Sequence, residues 1–401
     1  MKTITVPEYM SGFHCIGPEC EANCCDNDWI IVIDKATYQK YMNLDNHAIF
    51  EQYLQMKPEL ISENYYAELV KEPDGKCPFQ TKEGFCEIHH QYGAGYLSGT
   101  CNTYPRTLNL INDNLEMTGM ISCPEVGRRL LLDPKPVNFT QVENTSDAQF
   151  VYKVINLNLL RDEWQFYTLP LRELTIGILQ DHHAKLTDRL IFLGLFFQKA
   201  QGLVSQSQTG EIPKLITQFG ALVKNGSAKD FGQGINKNLL LQYELLKEIC
   251  TVKAMETPRY REWFLKILEG FGEEQVNGQN GSFHYERVLN DYYLKFWKDH
   301  EYIFENYLVN QVFGQIYPFS DNADILDSYA TFIIQYSLIQ FHLIGVAGLE
   351  QGMTLDSAVH TFMKVSRFFE HDNAFLPKIL QMLAERGLLT LAHLIGLFKI
   401  T

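Results

Sequence analysis

Cys15-Ile16-Gly17-Pro18-Glu19-Cys20-Glu21-Ala22-Asn23-Cys24-Cys25 decides how this chain is read, because it sets four thiols within eleven residues. Thiolates this close can converge on one metal centre, since a short Gly-Pro turn points several sulfurs inward without a large fold. Two later stretches extend the pattern: Cys77-Pro78-Phe79 with Cys86-Glu87-Ile88-His89, and Cys101-Asn102-Thr103-Tyr104-Pro105-Arg106. Cys123-Pro124-Glu125 closes it, and of nine cysteines in 401 residues only Cys250 lies beyond. The first ten residues show no basic region followed by an apolar run, so a reducing cytoplasm is the expected compartment. Disulfides rarely persist there, and clustered cysteines then read as metal ligands or redox thiols. Ordinary buried small hydrophobes are the plainer alternative, but free cysteines seldom cluster so densely.

Working outward, Trp29-Ile30-Ile31-Val32-Ile33 has a short strand signature ending at Asp34, which is placed to cap a helix running through Tyr38 and Tyr41. Leu108 to Ile111 and Leu115 to Met120 predict a hairpin, joined by Asn112-Asp113-Asn114, residues that tolerate turn conformations. Residues 1–133 therefore read as a small Cys-rich α+β metal-binding head. After Pro134 and Pro136 the texture changes, and residues 134–401 read as a larger, irregular all-helical domain, making the protein mainly α. Apolar residues recur at intervals of three and four over Val151–Leu160, Leu174–Ala200, Asn238–Val252, Arg259–Leu268, Tyr285–Phe313, Leu355–Phe369 and Pro377–Phe398. Ile325 to Leu349 is apolar and long enough to cross a bilayer, but Asp327, Gln335, Gln340 and His342 within it predict a buried helix without membrane insertion. The 34 basic against 48 acidic side chains, a net charge of −14, argue against a nucleic-acid partner and suit a lysine-bearing protein.

The metal is open between two readings. Structural zinc usually shows paired Cys-x-x-Cys knuckles, which are lacking here, and the adjacent Cys24-Cys25 pair is awkward for one tetrahedral ion. An iron-sulfur cluster accepts ligands from separate loops and is favoured, with zinc the alternative. Cys20-x3-Cys24 begins the three-cysteine signature of radical S-adenosylmethionine chemistry, but Asn27 stands where the third cysteine belongs.

The order of Cys15, Cys20, Cys24-Cys25 and Trp29, then Cys77-Pro-Phe, Cys86, Cys101 with Tyr104-Pro-Arg106, and Cys123-Pro-Glu125, resembles the flagellin lysine-N-methylase family. It is also similar to the broader cysteine-cluster, CxxxCC-type metal-binding family. The motif covers about the first 130 residues. The resemblance implies methyl transfer from S-adenosylmethionine to lysine side chains of flagellin, with an iron-sulfur cluster bound by Cys15, Cys20, Cys24, Cys25, Cys77, Cys86, Cys101 and Cys123. The rival reading is a metal-binding or redox-sensing protein that uses the same cysteines without methyl transfer.

Lysine methylation is a polar displacement that needs a deprotonated amine and in-line positioning, and no redox step. Tyr104 and Arg106, anchored by Cys101, are candidate catalytic residues together with Glu125; alternatively Arg106 pairs with Glu125 and merely braces the cluster. A methyl-donor turn should be glycine-rich and follow a strand, and Tyr92-Gly93-Ala94-Gly95-Tyr96 is the nearest match, making Gly93 and Gly95 the candidate cofactor-binding residues. His89 and His90 adjoin Cys86 but fit surface positions equally well. His182-His183 and His342 lie in helical patterns, where core hydrogen bonding is the simpler role.

Overall fold

The computed structural model describes residues 3–25, 29–58, 61–143, 151–273, 281–319 and 324–401. Asn27 and residues 274–280 fall outside these residues. The chain is 58% helical and 9% strand, with a small α+β region followed by a larger helical part, as the sequence pattern predicts. It divides into two compact units, one of residues 1–129 and 138–155, the other of residues 130–137 and 156–401.

In the first unit, β1 (Thr3–Pro7), β5 (Arg106–Ile111), β6 (Asn114–Gly119), β7 (Phe139–Glu143) and β8 (Lys153–Ile155) form one sheet in the order β7-β1-β6-β5-β8. The anticipated hairpin is its centre. Arg106 pairs with Gly119 and Ile111 with Asn114, and Asn112 and Asp113 take the positive φ angles that a tight hairpin turn requires. A second, three-stranded sheet in the order β2-β4-β3 contains β2 (Val32–Ile33), β3 (Leu54–Gln55) and β4 (Ala67–Leu69). Of the strand expected at Trp29–Ile33, the last two residues form β2, and the Ile31 carbonyl accepts from the Leu69 amide at 2.9 Å. The helices of this unit are short: α1 (Lys35–Met42), α2 (His47–Tyr53), α3 (Glu87–Tyr92) and α4 (Gly99–Thr103), with α5 (Pro124–Leu131) leading out of it. Asp34 caps α1 as anticipated, its carboxylate accepting from the Thr37 amide and hydroxyl, both at 2.8 Å.

Val151–Leu160 corrects the periodicity reading. It forms strand β8 and a single 3-10 turn at Leu157–Leu159, not a helix. The β-branched residues Val154 and Ile155 pair in parallel with Leu110 and Ile111, so a segment beyond residue 133 belongs to the first sheet.

The second unit packs α6 (Thr168–Leu179), α7 (Leu186–Ser205), α8 (Ile212–Lys224), α9 (Leu239–Glu256), α10 (Pro258–Gly270), α11 (Gly281–Val288), α12 (Leu294–Trp297), α13 (Tyr302–Gly314), α14 (Ile325–Glu350), α15 (Leu355–Val365), α16 (Phe375–Glu385) and α17 (Leu391–Phe398). Three expected helices are interrupted for local reasons. Between α6 and α7, Asp181 accepts from the amide and ring of His183 and holds a turn. A π-helical turn at Leu289–Tyr293 and the break before Tyr302 divide the Tyr285–Phe313 run, and Gly387, at φ +70°, ends α16. The apolar helix α14 is long enough to cross a membrane, yet its residues lie mostly buried inside this unit. Its crossing with α10 depends on glycine. A Cβ at Gly270 would stand 1.9 Å from the Gly345 carbonyl oxygen, and one at Gly348 would stand 2.1 Å from that of Gly270.

Candidate metal centre

Short-range hydrogen bonds bring four of the Cys-bearing segments together. The Cys25 amide donates to Asn23 Oδ1 at 2.8 Å, while Asn23 Nδ2 donates to the Gly84 carbonyl at 3.0 Å, fastening the Cys24-Cys25 turn to the Cys77–Cys86 loop. The Cys77 amide donates to the Cys25 carbonyl at 3.0 Å. That loop closes on itself by a bridge between Gln80 and Cys86, and Cys86 then starts α3. Cys101 sits in the first turn of α4, its amide donating to the Ser98 hydroxyl at 3.3 Å. Asp34 ties this helix to the remainder, because the oxygen that takes the Thr37 hydroxyl also accepts from the Gly99 amide at 3.3 Å.

The sulfurs of these segments share one electrostatic neighbourhood. Cys25 Sγ lies in hydrogen-bond contact with the sulfurs of Cys24 and Cys77. Those contacts, followed by burial, push the Cys25 thiol far up, and the proton Cys25 donates holds Cys77 below the ordinary thiol value. Burial raises Cys86. Desolvation on its packed side also raises Cys101, although the residue keeps solvent contact. Tyr41, buried with its hydroxyl donating to the Tyr96 carbonyl at 2.7 Å, is raised by burial and then by the charges of Cys101 and Cys86. Sequence reading placed Tyr41 only as a helix residue; no local pattern could show that it shares a core with Cys77, 36 residues downstream.

Cys15, Cys20 and Cys123 have other surroundings. Cys123 precedes α5, its amide donating to the Met120 carbonyl at 3.1 Å. Burial pushes its thiol up to about 11, and Cys20 and Cys15 are its thiol neighbours. Cys15 is exposed and its sulfur accepts from the Gly17 amide at 3.4 Å. Arg106 stands over the Phe13 ring at 5.3 Å; burial lowers its guanidinium, and the nearby Cys15 and Cys123 oppose that effect.

The three residues anticipated as catalytic have different partners. Tyr104 packs against Trp29, ring centres 4.9 Å apart, and its hydroxyl is 3.2 Å from that of Ser122. Glu125 lies 3.6 Å from Arg128, which also pairs with Glu21, so the anticipated brace between Glu125 and Arg106 is replaced by one within α5 and to the Cys20 loop. Gly93 caps the C-terminus of α3 at φ +82°, and Gly95 lies in a 3-10 turn whose carbonyl accepts from Lys40 at 2.7 Å. Both follow a helix, so they lack the strand-turn-helix setting of a nucleotide-binding glycine turn and do not fit S-adenosylmethionine on that ground. His89 and His90 are exposed. His342 is buried in the second unit, hydrogen-bonded to Tyr260 and to the Leu338 carbonyl.

Among the described residues, no three His, Cys, Asp or Glu side chains close on a single metal ion. The donor chemistry nevertheless suits a thiolate centre. Separate segments deliver the buried Cys77 and the half-buried Cys25 and Cys86 to one core, where thiolates are poorly stabilised without a cation beside them.

Comparison with known proteins bears on the whole chain. Residues 172–397 match the family described as FliB lysine N-methylase C-terminal domain, a span from α6 to α17 in which no motif had been recognised. A lysine-N-methylase of Salmonella choleraesuis is 24% identical over 362 residues, 84% of either chain, which leaves too little uncovered to omit either unit. The flagellar biosynthetic protein FliU of Salmonella muenchen is 32% identical over 136 residues, 33% of this chain and 79% of that one. A lysine-N-methylase of Salmonella typhimurium is 32% identical over 136 residues, 33% of each chain. No solved structure matches.

Proposed function

This chain belongs to the FliB lysine N-methylase family, and from that premise we propose that it transfers methyl groups from S-adenosylmethionine to lysine side chains of flagellin, in the cytoplasm. The observation that carries this reading is similarity to a lysine-N-methylase through both units and not through the cysteine motif alone. The flagellar name of a second relative supports a flagellar protein as substrate. A net charge of −14 favours encounter with a lysine-bearing surface.

Free lysine is almost wholly protonated at neutral pH, so the protein must bind the amine where its proton can leave and align Nζ with the sulfonium methyl. The residues that would hold an iron-sulfur cluster are drawn from the eight cysteines of the head. Bound there, the cluster supplies one-electron chemistry and a cross-link among loops, while the net methyl displacement consumes no electrons. An all-thiol donor set spread over several segments supports a cluster over zinc, because an extended cluster reaches ligands that one ion cannot.

The test uses anaerobically purified protein with S-adenosylmethionine and flagellin. Methyl mass increments on flagellin lysines are expected. Unmodified flagellin in the presence of metal-replete, folded protein would instead support a metal-binding or redox-sensing role. Iron and acid-labile sulfide should accompany the protein, and stoichiometric zinc without sulfide would defeat the cluster.

A further inference from the structure

We propose that the eight head cysteines form two separate sulfur sites: an inner one of Cys24, Cys25, Cys77, Cys86 and Cys101 that holds the cluster, and an outer one of Cys15, Cys20 and Cys123 beside Arg106 that contributes no ligand to it. The inference rests on the metal-binding part of the reading above.

Among the described residues the unit has two hydrophobic clusters, and four of its cysteines divide between them. Cys77 is a member of the cluster containing Ile31, Ile33, Tyr41 and Phe79, against which Cys25 and Cys86 also pack. Cys123 packs against the other, which contains Val6, Phe13, Leu108 and Met117. Direct contacts follow the same division. The Cys25 carbonyl accepts from the Cys77 amide at 3.0 Å, Asn23 fastens the Cys24-Cys25 turn to Gly84 of the Cys77–Cys86 loop at 3.0 Å, Tyr41 shares the cluster with Cys77, and Thr100, next to Cys101, donates to the Val32 carbonyl at 3.3 Å between two residues of that cluster. Arg106 stands over the ring of Phe13, a member of the cluster against which Cys123 packs, and Arg128 of the helix that follows Cys123 pairs with Glu21, next to Cys20.

Ligand arithmetic agrees. One iron-sulfur cluster takes four cysteine ligands, so eight sulfurs are too many for a single site, whereas five leave one to spare.

Two measurements on anaerobic full-length protein decide the matter. In the first, iodoacetamide labelling of each cysteine is followed by peptide mass spectrometry before and after metal removal. Removal should speed labelling about tenfold or more at four of the inner five and leave Cys15, Cys20 and Cys123 within about twofold, since coordination masks a thiolate. Equal gains at all eight would overturn the division. In the second, the triple variant Cys15→Ser/Cys20→Ser/Cys123→Ser should keep wild-type iron and sulfide, and Cys24→Ser/Cys77→Ser should lose most of both. Loss of iron and sulfide from a triple variant with an unchanged circular dichroism spectrum would overturn the division; if that variant does not fold, the wild-type labelling decides. Zinc in place of iron and sulfide would end the cluster reading, yet the labelling would still show which sulfurs hold the metal. Labelling of all eight unaffected by added iron or zinc would end both.

Discussion

Helix α14 alone buries eighteen residues in the helical unit, whereas the two described clusters of the cysteine-rich unit have nine and seven. The head spreads its core under short strands, single turns and loops fastened by side chains such as Asn23 and Asp34. The body surrounds one long apolar helix with aromatic residues: Tyr260, Phe264, Phe271, Tyr285, Tyr307 and Tyr329 are almost wholly inaccessible. Apolar burial near 25 cal/mol per Å² therefore secures the body without help, and the head is the part that gains from thiolate bonds. The buried polar residues differ correspondingly. In the body Arg189 meets the buried Glu305 carboxylate at 2.6 Å, whereas in the head the thiols of Cys25, Cys77 and Cys86 lie in or against the core.

The largest effect should come from metal removal. Stripping the protein with a chelator should open the head to limited proteolysis between Cys15 and Cys123 while residues 156–401 stay resistant, because metal binding to loops is itself folding free energy. A head that remains protected would show that its two small cores suffice.

In the body the comparison is sharpened by close packing. Gly270→Ala puts a methyl group inside contact distance of the Gly345 carbonyl and should cost about 3 kcal/mol or more, read from the denaturant midpoint by helical circular dichroism. Iron and sulfide content should not change. A wild-type midpoint would mean that α10 and α14 move apart freely.

The third expectation concerns pH. His342 is neutral: Nδ1–H donates to the Leu338 carbonyl at 2.6 Å, Nε2 accepts from the Tyr260 hydroxyl at 2.9 Å, and burial lowers its pKa from 6.5 to about 4. The unfolded chain therefore takes up this proton first. His342 contributes its full stability above about pH 6.5 and loses it as the pH falls towards 4, about 2 kcal/mol of it by roughly pH 5. His342→Gln should flatten the stability profile in that window. A slope equal to that of wild type would remove His342 from the account.

Much of the architecture is legible in the residues. The Asn112-Asp113 turn, the Asp34 cap, the helical texture and the buried reading of α14 all follow from local rules, since turn chemistry, capping and periodicity act within a few residues. Val151–Leu160 was misread for the converse reason. Its apolar spacing is compatible with a helix, but parallel pairing with β5, more than forty residues away in sequence, decides the matter. The partner of Arg106 was equally hidden, because Glu125 is nearer in sequence to Arg128, one helical turn further along, and takes that charge instead.

By itself, then, the sequence determined a head rich in thiols, a body of helices and a resemblance carried by the order of eight cysteines. Only the tertiary structure decided that β7 and β8 belong with the first sheet, that Tyr41 shares a core with Cys77, and that Cys25, Cys77 and Cys86 pack with one core and Cys123 with another. The reason is physical. Spacing along a chain limits how close neighbouring sulfurs can come, but which distant segments share a core depends on packing and strand pairing, whose energies no short window of residues contains.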